Sequence, residues 1–159
     1  MKLDCRTAII LRHPSEDKVL LLKRASFKKL LPNLMTGIGG KVELEDGEGE
    51  DLEKAVLREF VEETKIDVNI ISDIKLRLVT SRFSDGIQWF IFWFTGKLTE
   101  LPMDLSCNEG DLNFYDINNL QLEDFTPSAA EAIPFILSVN DDKVYNGVFK
   151  DDHKLLINQ

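Results

Sequence analysis

The segment from Gly39 to Ile66 constrains this chain more than any other: a glycine pair, Gly39-Gly40, feeds an acidic loop and then a helix carrying Arg58, Glu59, Glu62 and Glu63. Each helical residue advances by about 100°, so Glu62 and Glu63, three and four places after Glu59, crowd one side of that helix. Like charges so placed repel by a few tenths of a kcal/mol per pair on an isolated helix, and by far more where water is excluded. Leu52, Ala55 and Val56 share the stripe of Glu59 and Glu63, while Leu57, Phe60 and Val61 cover the other side. A face that met only water would not continue an apolar stripe. The carboxylates are therefore expected at the edge of a core, where ionised groups persist when paired or bound to a metal. Hard oxygen donors in that number suit Mg²⁺ or Mn²⁺ rather than zinc.

The remaining sequence is that of one compact domain, expected to span residues 1–159. Its formal net charge of -9 argues against nonspecific binding to nucleic-acid polymers or acidic membranes, and no basic cluster overrides it. An anionic substrate then needs metal ions and a few local cations to attract it. Cys5 and Cys107 lie far apart with no metal-ligand spacing and are expected to be free thiols in a reducing compartment. The start, MKLDCRTAIILRH, lacks a signal-peptide layout, and the aromatic run Trp89 to Phe94 is too short to cross a bilayer and reads as a buried strand. A cytoplasmic location is the expectation.

Strands are expected at Thr7–Arg12 and Val19–Lys23 as a hairpin, then near Ile74–Ser81, Ile87–Leu98 and Leu112–Asp116, the long second of these three bending or carrying a bulge. Leu34 to Ile38 leads into the glycine pair, and Asp51 to Thr64 forms the acidic helix. Pro127 opens a second helix over Ser128–Val139, with Pro134 kinking it or delaying its start. Val144–Phe149 and Leu155–Ile157 form a closing hairpin around Asp151-Asp152. His13 and His153 read as surface residues.

Arg58-Glu59-Phe60-Val61-Glu62-Glu63, with Glu50 upstream and Gly39-Gly40-Lys41-Val42-Glu43 before it, resembles the Nudix box of the MutT/Nudix hydrolases. The chain differs from the family pattern in a loop insertion of about four residues within Glu43 to Gly49, which loop-closure entropy tolerates, and in Lys65, where a glycine is usual. A non-glycine residue at a left-handed helix terminus costs roughly 1 kcal/mol. The order of elements, Cys107-Asn108-Glu109-Gly110 and Tyr145-Asn146-Gly147-Val148-Phe149 look like the MutT branch that includes the 8-oxo-purine nucleoside triphosphatases.

The resemblance implies an α/β fold, an α/β/α sandwich whose mixed sheet has helices on both faces. It implies that the Gly39 carbonyl with Glu59, Glu62 and Glu63 holds divalent metal, Mg²⁺ or Mn²⁺, with Glu109 as a further ligand. Arg58 and Glu50 would orient the helix glutamates, and the proton from the attacking water would pass to Glu109 or Glu59. Gly40 and Lys41, with Lys23 at the end of the second strand, are expected to contact substrate. The implied reaction is hydrolysis of a nucleoside diphosphate linked to another group, foremost a nucleoside triphosphate cut to monophosphate and pyrophosphate. Dinucleoside polyphosphates, nucleotide sugars and a non-catalytic nucleotide- or protein-binding module are the alternatives, and homodimers are frequent in the family. The oxidised-purine members grip the base through an asparagine before the glycines and through tryptophan and acids at the second helix. Here Thr36, Thr126, Ser128 and Ala129 stand in those places, so the base remains open. Met35, Phe83, Trp89 and Phe125 could stack on it, although core packing is the simpler expectation for them.

Overall fold

The computed structural model describes residues 2–43, 51–151 and 153–158. Eight strands among them form one mixed sheet: β1 (Lys2–Arg12), β2 (Lys18–Arg24), β3 (Met35–Thr36), β4 (Ile71–Ser84), β5 (Ile87–Leu98), β6 (Gly110–Asp116), β7 (Tyr145–Phe149) and β8 (Leu155–Asn158). The order is β3-β2-β1-β5-β4-β7-β8, with β6 paired to β2. β1 runs parallel to β5, and β4 to β7; the other pairings are antiparallel. Helix α1 (Leu52–Thr64) places Val56 and Phe60 against Ile9, Leu11, Leu20 and Leu22 on one face. Helix α2 (Pro127–Ser138) places Ala129, Ala132, Ile133 and Ile136 against Ala8, Ile10, Leu21 and Trp93 on the other. The α/β/α sandwich follows directly from period-2 alternation in β1 and β2, whose successive residues feed opposite cores.

β1 and β2 pair only at Leu11–Leu20 and Arg12–Val19 before they part. The chain from Met35 to Val42 fills the fork. Met35 and Thr36 pair with β2, whereas Ile38 and Lys41 bridge to Ile9 and Arg6 of β1. Gly39 belongs there because an added Cβ would lie 2.0 Å from the Thr7 carbonyl oxygen.

Several expectations shift. β1 begins at Lys2, since Lys2–Arg6 pairs with Ile87–Ile91 although its own alternation is weak. The irregularities fall on β4, between Ser72 and Lys75 and between Leu76 and Leu78, while β5 stays regular. Trp93 and Phe94 are buried, but Trp89–Phe92 are half-buried. Phe60 enters the core beside Val56, one turn away, and Val61 is exposed. Pro134 sits within α2 without delaying its start: Pro127 occupies the first turn and the Thr126 hydroxyl accepts from the Ala129 amide. His13 is tucked into the β1–β2 turn, its Nδ1 accepting from the Ser15 and Glu16 amides at 3.1 and 3.0 Å and its ring packed edge-on to Phe114. Met35 and Phe125 belong to the core, while Phe83 is exposed. No helix among the described residues is long and apolar enough to cross a membrane.

Asp51 caps α1 by accepting from the Glu53 and Lys54 amides, and Lys65 ends it in the left-handed region at φ 62°. Lys65→Gly should raise stability by about 1 kcal/mol, measured as a higher urea midpoint with unchanged slope. A loss of stability would mean that the Lys65 ammonium bond to the Glu62 carbonyl, at 3.1 Å, outweighs the backbone strain.

Candidate active site

α1 delivers its acidic residues to the fork. Glu59 and Glu63 continue the stripe of Ala55, which is fully buried, so they reach the rim of the core as the spacing requires. Glu59 lies over the glycine segment: a Cβ on Gly40 would come within 2.4 Å of its carboxylate. Arg58 ties these parts together. Its Nη1 donates to Glu59 Oε1 at 3.0 Å and Glu62 Oε2 at 3.2 Å, and its Nη2 donates to the Lys41 carbonyl at 3.1 Å. Glu43 is a looser partner at 3.6 Å. The helical ion pair four residues apart is thus formed, and the same guanidinium pins the helix to the glycine strand. Glu59 keeps 17% of its side-chain exposure, against 59% for Glu62.

Glu63 stands apart, inside the fork. Its Oε2 is buried without a hydrogen-bond partner. Burial foremost, then the Glu109 and Glu59 carboxylates, push its carboxyl up from 4.5 to about 8, against the pull of Lys28 and Arg24. Glu109 is brought there by a loop docked on the end of α1, where the Asn108 amide donates to the Glu63 carbonyl at 3.1 Å. Gly110 then starts β6 so close to β2 that a Cβ would meet the Lys23 carbonyl. Lys28 pairs with Glu109 across the opening.

These groups line a cleft of about 270 Å³ that crosses the sheet at the fork. Glu63, Leu22 and Arg24 border it on the α1 side, and Ile91, Trp93 and Ser128 on the α2 side, with Thr36, Gly39 and Gly40 between. Lys23 and Lys41 are exposed and do not line it. Strand alternation explains the first case: Leu22 and Arg24 face the cleft, so Lys23 between them points away. Thr126 is buried as the cap of α2 and Ala129 lies in the core, so only Thr36 and Ser128 of that group face the cleft. Glu50 lies outside the described residues. Lys28 was not apparent from sequence, because nothing in the Leu- and Lys-rich loop after β2 marks which cation turns inward.

The donor set suits a hard divalent cation. Glu63 supplies an orphaned carboxylate oxygen, Glu109 faces it, and Glu59 adjoins the glycine backbone. The fit is not that of a finished cage: among the described residues no three carboxylate, histidine or cysteine groups converge as a ready metal site, Glu59 and Glu62 being held by Arg58.

A mixed sheet between two helices, with a glycine segment under a helical carboxylate cluster, is the architecture that the resemblance to the Nudix hydrolases implies. The sequence profile of the NUDIX domain matches residues 4–136, and the chain belongs to that family, whose pyrophosphohydrolases act on small nucleotides with divalent metal ions. A MutT protein from Bacillus halodurans is 24% identical over 96% of this chain and 94% of its own, with a TM-score of 0.67. A NUDIX hydrolase from Nitrosomonas europaea is 19% identical over 93% and 79%, with a TM-score of 0.68. A bifunctional NMN adenylyltransferase/ADP ribose pyrophosphatase from Francisella tularensis is 16% identical over 84% and 40%, with a TM-score of 0.59. At such identities these likenesses speak to the fold. A search of curated proteins found no match.

Two outcomes separate the glycines. Gly39→Ala drives a methyl into backbone and should cost on the order of 3 kcal/mol of stability. Gly40→Ala meets only the movable end of Glu59 and should leave the thermal midpoint within about 2 °C while lowering turnover. Glu63 gives a pH test. Its raised pKa means that the folded chain keeps a proton the unfolded chain has lost, so without metal, stability should fall as pH rises from 4.5 to about 8. The drop should be on the order of a few kcal/mol, and Glu63→Gln should flatten it in chelator-treated protein. An equal slope in both proteins would sink this account.

Proposed function

We propose that the protein is a Mg²⁺-dependent pyrophosphohydrolase of nucleoside triphosphates, releasing monophosphate and pyrophosphate, working as one domain in the cytoplasm. The observation that carries this is the buried, unpartnered Glu63 carboxylate opposite Glu109 and Lys28 in a cleft with a glycine backbone wall. Two free cysteines fit the location.

Glu59, Glu62, Glu63, Glu109 and the Gly39 carbonyl would hold Mg²⁺ or Mn²⁺, which neutralises a diphosphate and acidifies a bound water. Arg24 and Lys28 contribute the cleft's own attraction for phosphate oxygens, which the net charge of -9 otherwise repels. Arg58 is a positioning residue, holding Glu59 and Glu62 to the glycine strand, a task Glu50 would share. The water hydrogen-bonds to a carboxylate as it attacks phosphorus in line. Glu109 is the first choice of acceptor, because it stands outside the Arg58 clamp and beside a lysine that also meets the substrate. Lys41 and Lys23, exposed outside the cleft, would act on the approaching anion only at longer range.

Incubation with a panel of nucleoside triphosphates, dinucleoside polyphosphates, nucleotide sugars and Mg²⁺ should release pyrophosphate from the triphosphates. Glu63→Gln should lower kcat by roughly 10²-fold or more, the scale of losing a key electrostatic group. Metal-independent or absent turnover across the panel would favour a binding module instead.

A further inference from the structure

The polar cleft adjoins a second, mostly apolar groove of about 330 Å³, and Ile91 and Ser128 line both. Its floor is a single patch of sheet. Thr80 pairs with Ile91, and Arg82 with Trp89, in the β4–β5 register, so the four side chains share the α2 face. Leu30, Pro127 and Phe149 supply apolar walls. Arg6 covers Trp89 from one side, its guanidinium carbon 5.6 Å from the ring centroid.

Beside the hydroxyls of Ser81, Ser84 and Ser128, the polar groups of this groove are Thr80, Arg82 and His153. None of the lining residues is an acid. Thr80 is already committed, its hydroxyl accepting from the Trp93 indole at 2.9 Å. Arg82 Nη1 lies 3.1 Å from His153 Nδ1, and no carboxylate among the described residues pairs with it. A guanidinium can only donate, so His153 Nδ1 accepts, and the neutral ring carries its hydrogen on Nε2. The pair therefore presents donors alone, from a guanidinium fork and an imidazole N–H.

We propose that Arg82, supported by His153, selects the base of the nucleotide, favouring one that offers two adjacent hydrogen-bond acceptors. Guanine does so through N7 and O6, the pair an arginine fork matches, and cytosine through N3 and O2. Adenine sets its N6 amino group beside N7 and N1, and thymine sets N3–H between O2 and O4, so neither presents that acceptor pair to the fork. Oxidation at C8 of guanine puts a hydrogen on N7 and removes the pair, so 8-oxoguanine is disfavoured rather than preferred. A bidentate fork that meets a base hydrogen in place of its second acceptor loses that bond and is repelled, which is the source of the discrimination. This inference rests on the nucleotide reading of the cleft.

Calorimetric binding of dGMP, dCMP, dAMP, dTMP and 8-oxo-dGMP to the full chain tests it, with triphosphate hydrolysis followed in the same preparations. dGMP, dCMP or both should bind roughly 5- to 150-fold more tightly than the other three, and their separate titrations tell the two bases apart. Arg82→Lys, which keeps the charge and loses the fork, should abolish the preference without moving the thermal midpoint, and His153→Ala should weaken it. Equal affinities, no binding, a preference for 8-oxo-dGMP, or a preference that survives Arg82→Lys would each overturn the proposal. Hydrolysis without base discrimination defeats this inference alone; base discrimination without metal-dependent hydrolysis defeats the catalytic reading and leaves this one standing.

Discussion

The close approach of the Gly39 backbone to the Thr7 carbonyl is the contact on which the site depends. Two strands that begin as an ordinary hairpin part after two residue pairs, and a third segment can enter the gap only if it carries no side chain at the point of tightest contact. Once seated, that segment offers Gly40 as a floor under Glu59 and the Lys41 carbonyl as an anchor for Arg58. Helix position, carboxylate position and cleft shape all follow from that seating.

Charge within the cluster is divided unevenly, and the division is physical rather than incidental. One guanidinium serves Glu59 and Glu62, both near its own helical turn, and cannot also serve Glu63, which turns into the fork. Glu63 is left with burial and two like-charged neighbours, which outweigh the pull of Lys28 and Arg24. A group so placed has the least favourable environment without a bound cation and gains the most from one, which links metal affinity to the same geometry that excludes water.

Much of this was legible in the sequence. The period of the apolar residues in α1 predicted that Glu59 and Glu63 would reach a core edge, and the burial of Ala55 and Val56 agrees. The resemblance carried by Gly39-Gly40 and Arg58–Glu63 implied the sandwich with helices on both faces. What escaped reading depended on contacts between distant segments. Lys2–Arg6 is a strand because β5 lies beside it, Lys28 turns inward because the loop after β2 is pinned where the Ala25 amide meets the Glu109 carbonyl, and the bulges fall on β4 rather than β5. Lys23 shows the limit of local spacing: its chemistry suited phosphate, but its neighbours Leu22 and Arg24 hold the inward positions.

The fork also has an evolutionary consequence. Because the opening passes through the sheet, the helical carboxylates hang from α1 beside the glycine segment, whereas the apolar groove is lined from β4, β5, α2 and the closing hairpin. Two sets of residues on opposite faces share only a narrow wall. Substitutions on the α2 side can therefore accumulate with little strain reaching the carboxylates, so that one reaction centre is free to be retuned to new substrates while its chemistry stays fixed.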